Sequence, residues 1–217
     1  MSEERVSPQG ALAHLAIPAG GEGQPVLVLH SWWGLTAAFT GFARQLASRG
    51  FLVGCADLYG GRTARTEAEA RALRARPRRE PMYRTLQRCL RELADHPGAT
   101  RPATATVGFS MGGHWAVWLA QHPPPEISGT VLYYAVRGGD FSQSNTPFLG
   151  HFAETDAFVS STARRSMERA IAGRGLEYRS YDYPGTGHWF AESDQPSFHR
   201  PSAELAFERT VSFLKAL

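Results

Sequence analysis

Short apolar runs alternate with helix-length amphipathic segments along most of the 217-residue chain. Residues 26–31 (VLVLHS), 51–59 (FLVGCADLY), 103–109 (ATATVGF), 127–135 (ISGTVLYYA), 146–154 (TPFLGHFAE) and 176–183 (LEYRSYDY) have the length and composition of strands. Between them, Phe39, Phe42 and Leu46 recur at helical spacing, as do Met82, Leu86, Cys89 or Leu90, and Leu93. Residues 111–122, 160–175 and 202–217 also read as helices. Strictly alternating strand and helix cannot pair as hairpins. The pattern predicts an α/β fold, with a mostly parallel central sheet flanked by helices on both faces. No repeat or linker interrupts it, so residues 1–217 are expected to form one domain.

Composition removes several classes. No apolar run approaches the roughly 20 residues of a membrane span. The opening segment, MSEERVSPQG, lacks the apolar core of a secretory signal, so a soluble, cytoplasmic protein is expected. Two distant cysteines, Cys55 and Cys89, argue against a zinc site or a disulfide framework. No metal or organic cofactor is implied. Ten arginines face three glutamates between Arg62 and Arg91. That cluster is read as a solvated helical face. Nucleic-acid binding through it is the alternative, to be judged by its salt dependence. Within this region residues 60–81 are read as a surface or lid segment, with Pro77 and Pro81 breaking any long helix.

Where residues 103–109 give way to the next helix, the chain reads Gly108-Phe109-Ser110-Met111-Gly112. This is G-x-S-x-G, the spacing of a nucleophile elbow. A strand that turns at once into a helix brings backbone segments together, and residues without side chains fit there. The turn would expose the Ser110 hydroxyl at the carboxyl end of the sheet, where chemistry gathers in such folds. The Met111 N–H, at the helix start, would face developing negative charge.

A serine hydroxyl needs a base, and the base needs an acid to orient it. The order expected on this fold is serine, acid, histidine. His14 and His30 precede Ser110, and His96 ends a helix. His114 rides on the serine's own helix, His122 adjoins Pro123, and His199 lies two residues before Pro201. His151 lies inside an apolar strand as a core residue. His188, in YPGTGHWF after the last strand, is the predicted base. Asp156, just past a strand end, is the predicted acid. Glu154 is its rival, Asp140 is second choice, and Asp182 lies inside a strand. The loop after residues 26–30 is expected to provide a second oxyanion donor, the Trp32 N–H. Trp33 beside it would wall an apolar pocket.

The segments VLVLHSWWGL, ADLYGG, GFSMGG, ETDAFVS and YPGTGHWFAE together resemble dienelactone hydrolases of the α/β-hydrolase superfamily. They occur in family order and span residues 26–192. The resemblance implies an α/β-hydrolase fold and hydrolysis of an ester bond in an unsaturated lactone by cysteine, histidine and aspartate. Ser110, His188 and Asp156 occupy those positions, with serine replacing cysteine. A glutamate in the family's first loop corresponds to Ser31. The family's two carboxylate-binding arginines fall at Arg79, within RREPMY, and at Glu192, where the charge is reversed. Phe158 matches a pocket aromatic. The expected activity is that of a serine esterase or lactonase acting on a small-molecule substrate through an acyl-enzyme, with neither nucleic acid nor membrane as partner. Acyl transfer would use the same residues, and a catalytically silent binding or regulatory protein would share the scaffold.

Overall fold

The computed structural model describes residues 2–4, 11–75, 79–123 and 125–217. Pro77 lies outside the described residues. The chain divides into two compact units, Met1–Ala105 and Thr106–Leu217.

The first unit contains β1 (Ser2–Glu4), β2 (Leu12–Ile17), β3 (Gln24–Leu29), α1 (Ala37–Ser48), β4 (Phe51–Ala56), α2 (Glu67–Ala75) and α3 (Arg79–Ala94). Its strands lie in the order β1-β2-β4-β3. β3 and β4 are parallel and in unbroken register from Gln24↔Phe51 to Leu29↔Ala56. Every residue of β4 and Val26–Leu29 of β3 are buried, as central parallel strands require. Truncating such a residue, Leu27→Ala for instance, would cost about 2–5 kcal/mol. β2 runs antiparallel to β4, with a register shift between Leu12 and His14. The strand reading of the sequence missed it, because the shift breaks the two-residue alternation that marks a half-buried strand.

Two helices, α2 and α3, lie among the described residues of the arginine-rich region. α2 starts with a reciprocal cap: the Thr66 hydroxyl accepts from the Glu69 N–H, and the Glu69 carboxylate accepts from the Arg65 and Thr66 N–H groups. Those bonds hold the Glu69 carboxyl below its usual range. α3 buries Met82, Leu86, Cys89, Leu90 and Leu93. Pro81 does not break it. The proline occupies the first turn, where its missing N–H has no partner to lose.

β5 (Thr104–Phe109) spans the boundary between the units. The second unit continues with α4 (Met111–Gln121), β6 (Ile127–Tyr133), β7 (Phe148–Thr155), α5 (Ser161–Ala172), β8 (Tyr178–Gly187) and α6 (Arg200–Ala216). The strand order is β5-β6-β7-β8, with β6–β7 and β7–β8 parallel. α4 packs on β6, α5 on β8 and α6 on β7. α4 is buried nearly all round, from Gly112 to Gln121 with His114 exposed, so its sequence shows little amphipathic contrast. The Ser160 hydroxyl caps α5 by accepting from the Ala163 N–H at 3.2 Å.

The β7–β8 ladder contains the irregularity that matters most. Between the pairs Ala153↔Tyr183 and Thr155↔Gly187, β7 advances two residues while β8 advances four. The bulge lets β8 run on and deliver His188 beside the end of β7. Glu154 stabilises it by accepting from the Gly185 N–H at 2.9 Å.

Candidate active site

Ser110 sits between β5 and α4 with φ 50° and ψ −111°, a conformation uncommon for a residue with a side chain. Its N–H donates to the Tyr133 carbonyl at 2.9 Å, and its own carbonyl accepts from the His114 N–H. The turn is tight. A Cβ on Gly108 would lie 2.5 Å from both the Gly112 oxygen and the Gly113 Cα, and one on Gly113 would overlap the Ala135 side chain. The close approach therefore involves Gly108 and the second glycine of the Gly112-Gly113 pair.

The Ser110 Oγ lies 2.8 Å from the His188 Nε2. On the other side of the ring, His188 Nδ1 lies 2.7 Å from the Asp156 Oδ2. The remaining oxygen of Asp156 accepts from the Phe158 and Val159 N–H groups at 2.8 and 2.9 Å. A carboxylate can only accept, so Nδ1 carries the ring proton and donates it to Asp156. Nε2 is thereby left as the acceptor facing the serine hydroxyl. The side chains of His188 and Asp156 are 5% and 7% exposed, which limits competition from water. The Ser197 hydroxyl donates to the His188 carbonyl at 2.7 Å and anchors the loop. Chemically, this line can move a proton from the serine to the imidazole and stabilise the imidazolium that results.

The rival acids are engaged elsewhere. Glu154 holds the β8 bulge, and Asp140 accepts from Ser142 at 2.8 Å. Asp182 pairs with Arg164. The other histidines also have separate partners. His151 is fully buried between the Tyr183 and Thr210 hydroxyls, at 2.7 and 3.0 Å. His122 stacks on Trp118, and the His199 Nδ1 meets the Ser202 Oγ at 2.9 Å.

Met111 opens α4, so its N–H belongs to the positive end of that helix. Phe158 is 47% exposed, with its ring 4.8 Å from that of His188 and 5.0 Å from that of Trp189. Trp32 and Trp33 belong to the first unit. They are buried edge to face with centroids 5.6 Å apart, and the Arg71 guanidinium lies over Trp32. In the same unit, His30 accepts from the Leu58 N–H through Nε2 and donates to the Ser31 carbonyl through Nδ1. It is therefore the neutral tautomer, and burial pulls its pKa down. The backbone of Arg79 begins α3, and its side chain lies outside the described residues.

Glu192 is 1% exposed and accepts from the Tyr134 hydroxyl at 2.8 Å. Sequence reasoning did not find Tyr134. It follows β6 directly, has φ 39°, and its ring centroid is 4.8 Å from that of His188. Its only signal was a second tyrosine at the end of an apolar strand. Ser110, Tyr134 and Trp189 are the non-glycine residues with positive φ among those described. Such conformations cost about 1–3 kcal/mol each and persist where the surroundings over-determine them.

Comparison with known proteins places the chain in a family and a fold. The family model described as the dienelactone hydrolase family matches residues 12–217. A carboxymethylenebutenolidase from Pseudomonas sp. (strain P51) is 28% identical over 219 residues, covering 94% of this chain and 90% of its own. A solved structure from Klebsiella pneumoniae, provisionally designated a dienelactone hydrolase, superposes with a TM-score of 0.81 at 21% identity, over 94% of this chain and 92% of that one. An α/β hydrolase from a deep-sea metagenome library of the Medee basin superposes with a TM-score of 0.70 at 13% identity, over 99% and 96%. The fold is thus the α/β-hydrolase fold, the one that the family resemblance implied within the α/β class predicted from strand–helix alternation.

Proposed function

The chain belongs to the dienelactone hydrolase family and is a hydrolase of ester bonds, and on that premise we propose that it cleaves a neutral carboxylic ester or lactone through Ser110, His188 and Asp156. The Ser110 oxygen attacks the carbonyl carbon while the His188 Nε2 takes its proton. Asp156 keeps the imidazole in the accepting tautomer and stabilises the imidazolium. The Met111 N–H, at the positive end of α4, donates to the oxyanion of the tetrahedral intermediate. The carbon–oxygen bond to the leaving group then breaks, and His188 returns the proton to the departing alkoxide. Water, deprotonated by the same imidazole, releases the acid from the acyl-enzyme and restores Ser110.

The observation that carries this reading is the unbroken hydrogen-bonded line Asp156–His188–Ser110, at 2.7 and 2.8 Å. Phe158 offers the substrate an exposed apolar face beside the imidazole. Glu192 supports the choice of a neutral ester. A buried carboxylate bonded to Tyr134 provides no clamp for an anionic substrate, whereas arginine would.

A fluorophosphonate that reacts with activated serines tests the nucleophile. The protein should label at Ser110, and Ser110→Ala should not label. Labelling that survives this substitution would overturn the assignment. Matched neutral and anionic aryl esters test the substrate class, and kcat/KM should favour the neutral member. A strong preference for the anionic one would refute the role given to Glu192.

A further inference from the structure

Tyr134 is strained, buried and in contact with His188, yet the reaction sequence assigns it no step. Its N–H donates to the His151 carbonyl at 2.7 Å. Its ring lies among Phe109, Tyr133, Phe190 and His188, and its hydroxyl reaches Glu192. The Glu192 backbone is fixed in turn. Its N–H donates to the Trp189 carbonyl at 3.0 Å, and its carbonyl accepts from the Gln195 N–H at 3.0 Å. A closed circuit results, from His188 along the chain to Glu192, across to the Tyr134 hydroxyl, and back through its ring to the imidazole.

We propose that Tyr134 and Glu192 are positioning residues for His188: the carboxylate holds the phenol, and the phenol ring so held sets the plane in which the imidazole presents Nε2 to Ser110. This inference rests on the proposed role of His188. Asp156 and Ser110 hold the imidazole through hydrogen bonds at its two nitrogens, which resist a tilt of the ring only weakly. The rings of Phe158 and Tyr134 each lie 4.8 Å from it, and of the two Tyr134 is the buried one, held in place to limit that tilt. Burial and the neighbouring Glu192 carboxylate push the Tyr134 hydroxyl well above the usual phenol range, so it remains a donor. A core that needed only filling would be better served by an apolar pair, because burying a carboxylate is costly.

The test compares kcat and KM on one neutral aryl ester for Ser110→Ala, Tyr134→Phe, Glu192→Gln, Glu192→Leu and the Tyr134→Phe/Glu192→Leu double variant, each normalised to folded protein by thermal melting. Tyr134→Phe and Glu192→Leu should each lower kcat by about tenfold, with KM within twofold. The double variant should be no worse than either single one, since one linkage is lost. Glu192→Gln still accepts a hydrogen bond and should recover most of kcat. Wild-type kcat in Tyr134→Phe, or multiplying losses in the double variant, overturns the inference while Ser110→Ala is inactive. Turnover surviving in Ser110→Ala overturns instead the reading of the site beneath it. Should Glu192→Leu not fold, Tyr134→Phe, which changes only a hydroxyl, decides the matter.

Discussion

His188 and His151 both lie in the second unit, and both have lost almost all contact with solvent. What separates them is their partners. His151 lies between two hydroxyls, and the Thr210 hydroxyl is itself bonded to Tyr133 at 2.8 Å. Each of its nitrogens is satisfied by a neutral group, and burial lowers its pKa to about 3. His188 instead faces a carboxylate on one side and a partly exposed serine on the other. One arrangement keeps a histidine neutral, while the other equips a histidine to take up charge. Burial alone does not make a histidine structural, and the charge and accessibility of what it touches decide its use.

The largest break in that contrast should come from His188→Ala. Hydrolysis of a neutral ester is expected to fall roughly 10⁴-fold or more per folded molecule, with a drop in melting temperature because the buried Asp156 carboxylate loses its partner. Steady-state kinetics beside a thermal melt would check both halves. Asp156→Asn should follow, with a loss of about 10³–10⁴ in kcat, because an amide can hold the imidazole in the wrong tautomer. Binding of a neutral substrate analogue should survive that change.

His151→Leu should do the opposite. It leaves two buried hydroxyls short of a partner and should cost about 2–4 kcal/mol in urea unfolding, while kcat per folded molecule stays within a few-fold. The same variant has a pH signature. Unfolded, His151 binds a proton near 6.5, and folded it does so only near 3. Between those values the unfolded chain holds more protons, so stability contributed by the neutral ring is complete above pH 6.5 and lost as pH falls toward 3. Within that interval the slope is roughly 1.4 kcal/mol per pH unit. In His151→Leu this part of the acid destabilisation should disappear, as unfolding curves at several pH values would show. The smallest effect is expected of Tyr183→Phe, which removes one neutral hydrogen bond to His151 while keeping the ring against Phe190. It should lower stability by about 1 kcal/mol and leave kcat alone.

Much of this was legible from residue order. The strand–helix alternation predicted the α/β architecture. G-x-S-x-G, followed by an acid past one strand and a histidine past the next, singled out three residues that the fold places in hydrogen-bond contact. The Thr66-x-x-Glu69 cap was also written in the sequence, although the surrounding arginines and prolines suggested an irregular segment. β2 was not legible, because its register shift leaves no clean period. A place past the strand end favours Asp156 over Glu154, but what Glu154 does instead was not legible. Two residues apart at a strand end, they separate only because the bulge brings the Gly185 N–H to one and His188 to the other. The linkage of Tyr134 to Glu192, 58 residues away, leaves no local signal at all.

By itself the sequence determined what local rules govern: where apolar runs make strands, where a helix is capped, and where a serine must stand on a sharp turn between glycines. These follow from propensity and backbone sterics, which act over a few residues. Only the tertiary structure decided that Glu154 is taken up by the bulge, that His151 is locked between hydroxyls, and that a strained tyrosine packs on the imidazole while bonding a buried glutamate. Those outcomes depend on hydrogen bonds and packing between segments far apart in the chain. Such contacts acquire their strength only once the fold has excluded water from around them.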